Sequence, residues 1–226
     1  MKQTIKQALV STIPVLTGYI VLGFGFGIMM KSYNFGFLMA FAMSFFIYAG
    51  SMQYVAIGLM TGGASLITVF FTTLMVNARH LFYGVSMLDK YENVGKRKPY
   101  LIFALTDETY SLVCMDNKNI SFEQQNNYYL FVSLFNHLYW IIGTVIGVLI
   151  GTLISFNTKG IDFALTALFL TVFIEQWMST KNHLPAIIGV VCSIVCLLIF
   201  KSANFLIPSM ILITVILLLT KEKKYE

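Results

Sequence analysis

ASLITVFFTTLMVNARHLFYGVSML, residues 64–88, is apolar over most of its length yet carries Asn77, Arg79 and His80 together near its middle. At about 1.5 Å rise per residue, Arg79 lies roughly 15 Å from the polar break at Asp89, close to the midplane of a hydrocarbon core about 30 Å thick. A guanidinium at that depth costs at least about 2.5 to 3.5 kcal/mol on insertion scales, so it is expected to be paired or to line a wet path.

The rest of the chain supports a membrane setting. Of 226 residues 58% are hydrophobic and only 11% charged, and the mean hydropathy is +0.78. A globule of this size has no interior large enough for so much apolar surface, which points to a polytopic, all-α membrane protein. Apolar stretches run over residues 8–30, 35–60, 64–88, 100–115, 128–155, 161–178, 185–200 and 205–220, giving seven or eight segments in a single transmembrane domain spanning 1–226. The opening Lys2 and Lys6 with the apolar run behind them resemble a secretory leader. No A-x-A-like cleavage site follows, so the run is read as a retained first helix. The net charge of +5 sits in short loops and at the two ends, which marks topology rather than nucleic-acid binding. Cys114, Cys192 and Cys196 all fall inside apolar segments, so neither a disulfide framework nor a metal centre is expected, and nothing calls for a cofactor.

The basic loops conflict with a plain count of spans. The N-terminus (Lys2, Lys6), the loop with Lys90, Lys96, Arg97 and Lys98, and the tail with Lys221, Lys223 and Lys224 should all face the cytoplasm, so an even number of crossings should separate each pair. Three apolar segments precede the middle loop and five follow it. The parity is restored if one segment in each half is broken or re-entrant. The candidates are the second, with Tyr48-Ala-Gly-Ser-Met-Gln53, and the fourth, with Thr106-Asp-Glu-Thr109, because irregular backbone is tolerated at membrane depth only where protein buries it or a cavity meets it.

Local patterns supply candidate roles. Gly23 and Gly27, and Gly143, Gly147 and Gly151, repeat every four residues and give smooth faces for close helix packing. Gly23-Phe-Gly-Phe-Gly27 lacks the strand, turn and helix unit of a nucleotide fingerprint. A break at Gly50 and Ser51 would turn free N–H groups and a positive dipole end toward an anionic ligand such as an amino-acid carboxylate. In the alternative, Ser51 bonds back to its own helix and Gln53 to a neighbour. Asp107 and Glu108 are adjacent in a very polar turn. In low dielectric at least one should hold its proton and could carry it during transport, unless the turn lies partly in water. Read as one continuous helix, residues 64–88 place Thr73, Asn77, His80 and Gly84 on one face and Thr72, Arg79, Tyr83 and Ser86 on the next. Arg79 is then either a clamp for a ligand carboxylate or a structural partner of Asp107, Glu108 or Asp162, and the structural ion pair is preferred. His137, beside Asn136 and Trp140, reads as a packing histidine; His183 and Glu175 are weaker signals.

Together these residues carry a resemblance. Ala49-Gly-Ser-Met-Gln53, Val76-Asn-Ala-Arg-His80 with Tyr83-Gly84, Leu105-Thr-Asp-Glu-Thr109, Asn136 with Trp140, and Ile161-Asp-Phe-Ala-Leu165 match, in order and spacing, the AzlC family of branched-chain amino acid permeases, over roughly residues 8–200. One departure lies after Leu165, where Thr166-Ala-Leu stands near a position at which many members carry proline. The resemblance implies a multi-pass protein of the cytoplasmic membrane that exports leucine, isoleucine, valine and related amino acids, with a small membrane subunit of the AzlD type as partner.

With no nucleotide-binding loop in the sequence, energy is expected from an ion gradient, with Asp107 or Glu108 as proton-coupling candidates. The expected substrate contacts are Gly50, Ser51, Gln53, Asn77, Asp107 and Glu108, with Arg79, His80, Asn136 and Asp162 as a structural polar cluster. The alternatives are a membrane-embedded enzyme, for which H-E-x-x-H and G-x-S-x-G motifs are lacking, and a channel-forming or structural subunit.

Overall fold

The computed structural model describes residues 1–114, 117, 120–121, 124–153, 170, 173–174, 177–178 and 181–222. They fall into two compact units, Met1–Ala64 with Val76–Lys159, and Ser65–Met75 with Gly160–Glu226. The second unit holds nearly all of α4 (Leu66–Val76), together with α9 (Leu184–Asn204) and α10 (Leu206–Glu222), which pack on each other.

The first unit is built on two long helices, α1 (Lys2–Ser32) and α8 (Gln125–Leu153), each apolar enough to cross a membrane. At 1.5 Å per residue they measure about 46 and 43 Å, more than a hydrocarbon core about 30 Å thick requires. They run parallel. Thr4 Oγ1 donates to Gln124 Oε1 at 2.6 Å at one end, and Gly151 lies against Lys31 at the other. Between these ends the glycine faces meet as their spacing implies: Gly23 lies over Trp140, Gly143 and Thr144, and Gly27 over Thr144, Gly147 and Val148. Backbones this close require the absence of Cβ atoms.

Two broken helices pack alongside this pair, entering from opposite ends. The first starts beyond the C-terminal end of α1 as α2 (Phe37–Ala42), continues as a π-helical turn over Met43–Ile47, breaks at Tyr48 and Ala49, and resumes as α3 (Gly50–Thr61). Tyr48 lies beside Tyr19 at mid-length of α1, whereas the Tyr54 hydroxyl donates to the Leu22 carbonyl at 2.6 Å and its ring meets Phe26. α3 therefore turns back toward the end from which α2 came.

The second broken helix is α6 (Lys98–Phe103) and α7 (Asp107–Val113), joined through Ala104, Leu105 and Thr106. It starts from the basic loop, a 3-10 stretch over Glu92–Arg97 in which Gly95 takes a positive φ of 63°. It returns to the same end, since Lys90 Nζ donates to the carbonyl of Cys114 at 2.9 Å, just past α7. Arg97 bonds Asn127, and Asn126 bonds the Asn93 carbonyl, so the basic loop, the N-terminus of α1 and the start of α8 share one end. An apolar core of Ala8, Met87, Tyr91, Leu101, Leu105, Val113, Tyr129 and Val132 binds that end together.

Both stretches that charge parity singled out, the second and the fourth, are broken helices. The first break falls at Tyr48 and Ala49, just before Gly50 and Ser51, which open α3. The third stretch departs from expectation. It is not one helix, because Asn77 (φ −95°, ψ 6°) interrupts it between α4 and α5 (Ala78–Ser86), so the faces drawn through Thr73, Asn77, His80 and Gly84 do not exist as a continuous stripe. The fifth stretch lies in α8 as far as Leu153, the seventh within α9 and the eighth, from Leu206, within α10. Most of the sixth, with Asp162 and Glu175, lies outside the described residues, as do Lys223 and Lys224.

Candidate functional site

The tips of the two hairpins meet at mid-length of α1 and α8, and buried Ser44, Gln53, Thr106, Thr109, Asn136, His137 and Thr144 collect there. On the α2–α3 side, a break frees backbone groups that must be satisfied in a dry setting. His137 of α8 does this for one of them, its Nε2 lying 3.2 Å from the Ser44 carbonyl. A carbonyl only accepts, so Nε2 carries the hydrogen and Nδ1 is left to accept from the Tyr100 hydroxyl at 3.3 Å. Tyr48 closes the turn in the left-handed region at φ 45°, its ring 4.3 Å from that of His137. Behind the tip runs a closed chain of buried hydrogen bonds. Trp140 Nε1 donates to Gln53 Oε1 (3.0 Å), Gln53 Nε2 to Ser44 Oγ (3.2 Å), Ser44 Oγ to Thr144 Oγ1 (2.9 Å), and Thr144 Oγ1 to the Trp140 carbonyl (3.0 Å). Gly50 is small because Trp140 covers it: a Cβ there would lie 3.0 Å from the indole ring.

On the α6–α7 side, Thr106 caps α7 by accepting from the Thr109 N–H at 3.2 Å, and Asp107 and Glu108 occupy the first turn, where the helix dipole favours carboxylates. They point to different partners. Asp107 Oδ2 is 2.5 Å from Arg79 Nη1, and the same guanidinium donates through Nη2 to Ser51 Oγ at 3.3 Å. Glu108 Oε2 accepts from the Tyr19 hydroxyl at 2.6 Å, and Tyr19 also lies 2.6 Å from Thr106 Oγ1. Asn136 Nδ2 donates to Thr109 Oγ1 at 3.0 Å. Ser51, Arg79 and Asp107 are the second, second and first residues of α3, α5 and α7, so one guanidinium ties three helix beginnings together.

Of the residues singled out from sequence, Gly50, Ser51, Gln53, Arg79, Asp107, Glu108 and Asn136 gather around these tips. Asn77 sits at the α5 break, where its carbonyl accepts from the His80 backbone N–H at 2.9 Å and lies 3.3 Å from His80 Nδ1. Arg79 takes Asp107 as its partner, while Asp162 lies outside the described residues. His183 is in the second unit, stacked on Trp177 at 4.1 Å. Two members of the site, Tyr19 and Tyr48, were not singled out. The signal was available in Tyr19, a hydroxyl at the centre of an apolar helix, since such a group needs a partner. Several polar atoms at the tips are buried without one: Tyr48 Oη, Arg79 Nε, Asp107 Oδ1 and Asn136 Oδ1. Native interiors seldom leave such groups unmatched.

The AzlC protein family model matches residues 14–154, a range that takes in both hairpins and every polar contact above except that of Thr4. This chain belongs to the AzlC family. It is 45% identical, over 92% of its length and 82% of the relative's, to the branched-chain amino acid transport protein AzlC of Bacillus subtilis. An uncharacterized membrane protein of Helicobacter pylori is 40% identical over 96% of this chain and 95% of its own, and the inner membrane protein YgaZ of Escherichia coli 25% identical over 79% and 76%. No solved structure matches the chain. With its relatives named as membrane or transport proteins and its own helices apolar and long, this AzlC-family chain is an all-helical membrane protein.

Proposed function

We propose that this chain is a secondary transporter that exports leucine, isoleucine, valine and related amino acids across the cytoplasmic membrane, acting as one transmembrane domain beside a small AzlD-type membrane subunit. The observation that carries the reading is the polar centre held by two opposed re-entrant tips at mid-length of the long helices. Discontinuous helices whose ends meet near the bilayer midplane are a recurrent way to build a transport site, because the broken ends offer unpaired backbone groups to a substrate. The name of the Bacillus subtilis relative supplies the substrate class.

In this reading the N-terminus of α3, with Gly50 and Ser51, meets the substrate carboxylate beside the Asn77 break, and Asp107 or Glu108 meets its ammonium. Gln53, whose amide is held by Trp140 and Ser44, shapes the tip from behind. Arg79 and His80 support the acids, with Asn136 on the α8 side. Energy comes from an ion gradient, with Asp107 and Glu108 as the candidates for coupling; the chain is not an enzyme.

The test is reconstitution of the purified protein with its small partner in liposomes loaded with labelled leucine or valine. Saturable, gradient-dependent release supports the reading, and neither release nor exchange sinks it. Asp107→Asn and Glu108→Gln, assayed separately against pH, should change the pH profile in at least one case if a proton is coupled.

A further inference from the structure

The half-buried charges at the tips do not balance. Arg79 is engaged by Asp107 and Ser51, whereas Glu108 receives a neutral hydroxyl from Tyr19. Tyr48 from the opposite tip and His80 and Tyr83 from α5 lie within electrostatic range of it, and His80 lies against the Asn77 carbonyl through Nδ1. A carboxylate at membrane depth that is hydrogen-bonded by a neutral hydroxyl calls for a cationic partner.

The oxygens around it are of the kind a cation uses. Tyr48, 3% exposed, packs edge-on to Tyr19 within electrostatic range of Glu108, and its hydroxyl makes no well-formed hydrogen bond. Asn136, 0% exposed, gives its Nδ2 to Thr109 Oγ1, which leaves Oδ1 next to Thr109, buried and unmatched. Thr109 Oγ1 itself accepts from Asn136 and from Thr106. An unmatched amide oxygen and an unmatched hydroxyl deep in the protein are costly unless something binds them. A proton on Glu108 supplies a single O–H donor, enough for the hydroxyl or the amide oxygen but not for both. A group that carries positive charge and draws on several oxygens at once satisfies the carboxylate, the amide and the hydroxyl oxygen together.

We propose that Glu108, Tyr48 and Asn136 form a binding site for a monovalent cationic group, either a sodium ion or the ammonium of the amino-acid substrate. The site rests on the transporter reading for its purpose. It is distinct from the Arg79–Asp107 pair, and it assigns to Asn136 and Tyr48 direct contact with the ligand.

Binding is measured on the full-length protein in lipid nanodiscs by tryptophan fluorescence during heating, since Trp140 sits edge-on to Tyr19. Sodium chloride is compared with N-methyl-D-glucamine chloride, and leucinol, an amine without a carboxylate, with 4-methylvalerate, a carboxylate without an amine. A shift with sodium alone identifies a metal-ion site; a shift with leucinol in sodium-free buffer identifies the substrate ammonium. Glu108→Gln is expected to weaken the effective cation at least tenfold, and Tyr48→Phe, which keeps the ring and its packing, at least threefold. The proposal is overturned if neither sodium nor leucinol raises the melting temperature, or if both variants respond as the wild type does. Failure of the transport reading would look different: labelled leucine would not move in liposomes while the cation shift, and its loss in Glu108→Gln, remained.

Discussion

Gly18 and Gly23 lie five residues apart in α1, and the same substitution should move stability in opposite directions at the two. A Cβ at Gly23 would stand 2.8 Å from the Trp140 carbonyl oxygen, 3.0 Å from the Thr144 nitrogen and 3.2 Å from the Gly143 Cα. The first falls about 0.6 Å short of the 3.4 Å at which ordinary contact begins. All three neighbours are backbone, so no rotamer change relieves the clash and α1 must move off α8. Overpacking of this kind costs about 1 to 3 kcal/mol. At Gly18 nothing lies within 4 Å, and alanine there contributes about 1 kcal/mol of helix propensity. Alanine at Gly23 gains the same propensity, so the two variants should differ by the overpacking cost alone, about 1 to 3 kcal/mol, or roughly 2 to 12 °C in melting temperature for a chain of this size. The assay is the fraction of detergent-solubilised protein that stays monodisperse after heating. If Gly23→Ala melts within a degree or two of Gly18→Ala, the close α1–α8 contact is not what these glycines are for.

Three further outcomes follow from single contacts. Tyr48 has φ 45°, a region that costs a side chain roughly 1 to 2 kcal/mol, so Tyr48→Gly should retain about that much more stability than Tyr48→Ala, read as the difference between their melting curves. His137→Ala leaves the Ser44 carbonyl and the Tyr100 hydroxyl without their ring nitrogens and should cost about 1 to 3 kcal/mol by the same assay; a neutral result would mean the α2–α3 break is satisfied some other way. Arg79→Lys replaces a planar fork that serves Asp107 and Ser51 at once by a point charge, and should lower folded yield more than it changes substrate affinity in a filter-binding titration; the reverse order would make Arg79 a substrate clamp.

Much of this was readable from the chain because each signal had one physical meaning. Loop lysines grouped the N-terminus with the middle basic loop, which do share one end, and parity pointed to a broken segment in each half. Polar residues inside short apolar runs marked where that happened. The glycine spacing in α1 and α8 marked two faces for close packing, and these faces meet each other. The break at Asn77 was hidden, because neither Gly nor Pro marks it and Thr72 to His80 fit a helical face as well as they fit a half-helix start. Tyr48 was hidden for a related reason: an aromatic residue in the left-handed region has no propensity signal, and its place is set by His137 and Tyr19 from helices remote in sequence. The closed chain through Trp140, Gln53, Ser44 and Thr144 depends on three separate segments, so no local pattern announces it.

The Arg79–Asp107 pair also explains why an arginine survives at this depth, and the explanation makes the two partners unequal. Their side chains are 32% and 35% exposed, so the pair is neither a solvated surface bridge nor fully dry. Its guanidinium lies at the beginnings of α3 and α7, where unpaired N–H groups already concentrate positive charge. Arg79 is therefore held in an unfavourable field that the Asp107 carboxylate offsets. Asp107, by contrast, sits in the first turn of its own helix, where a carboxylate is favoured even alone. Asp107→Asn should consequently cost more than Arg79→Met, by about 1 kcal/mol on the scale of helix-dipole effects, although both remove the same ion pair. The double variant should recover part of the Asp107→Asn loss, because it removes the stranded cation as well. Melting temperatures of the three variants decide it: equal losses for the two single changes would mean that the helix ends contribute nothing, and that the pair is held by its mutual attraction alone.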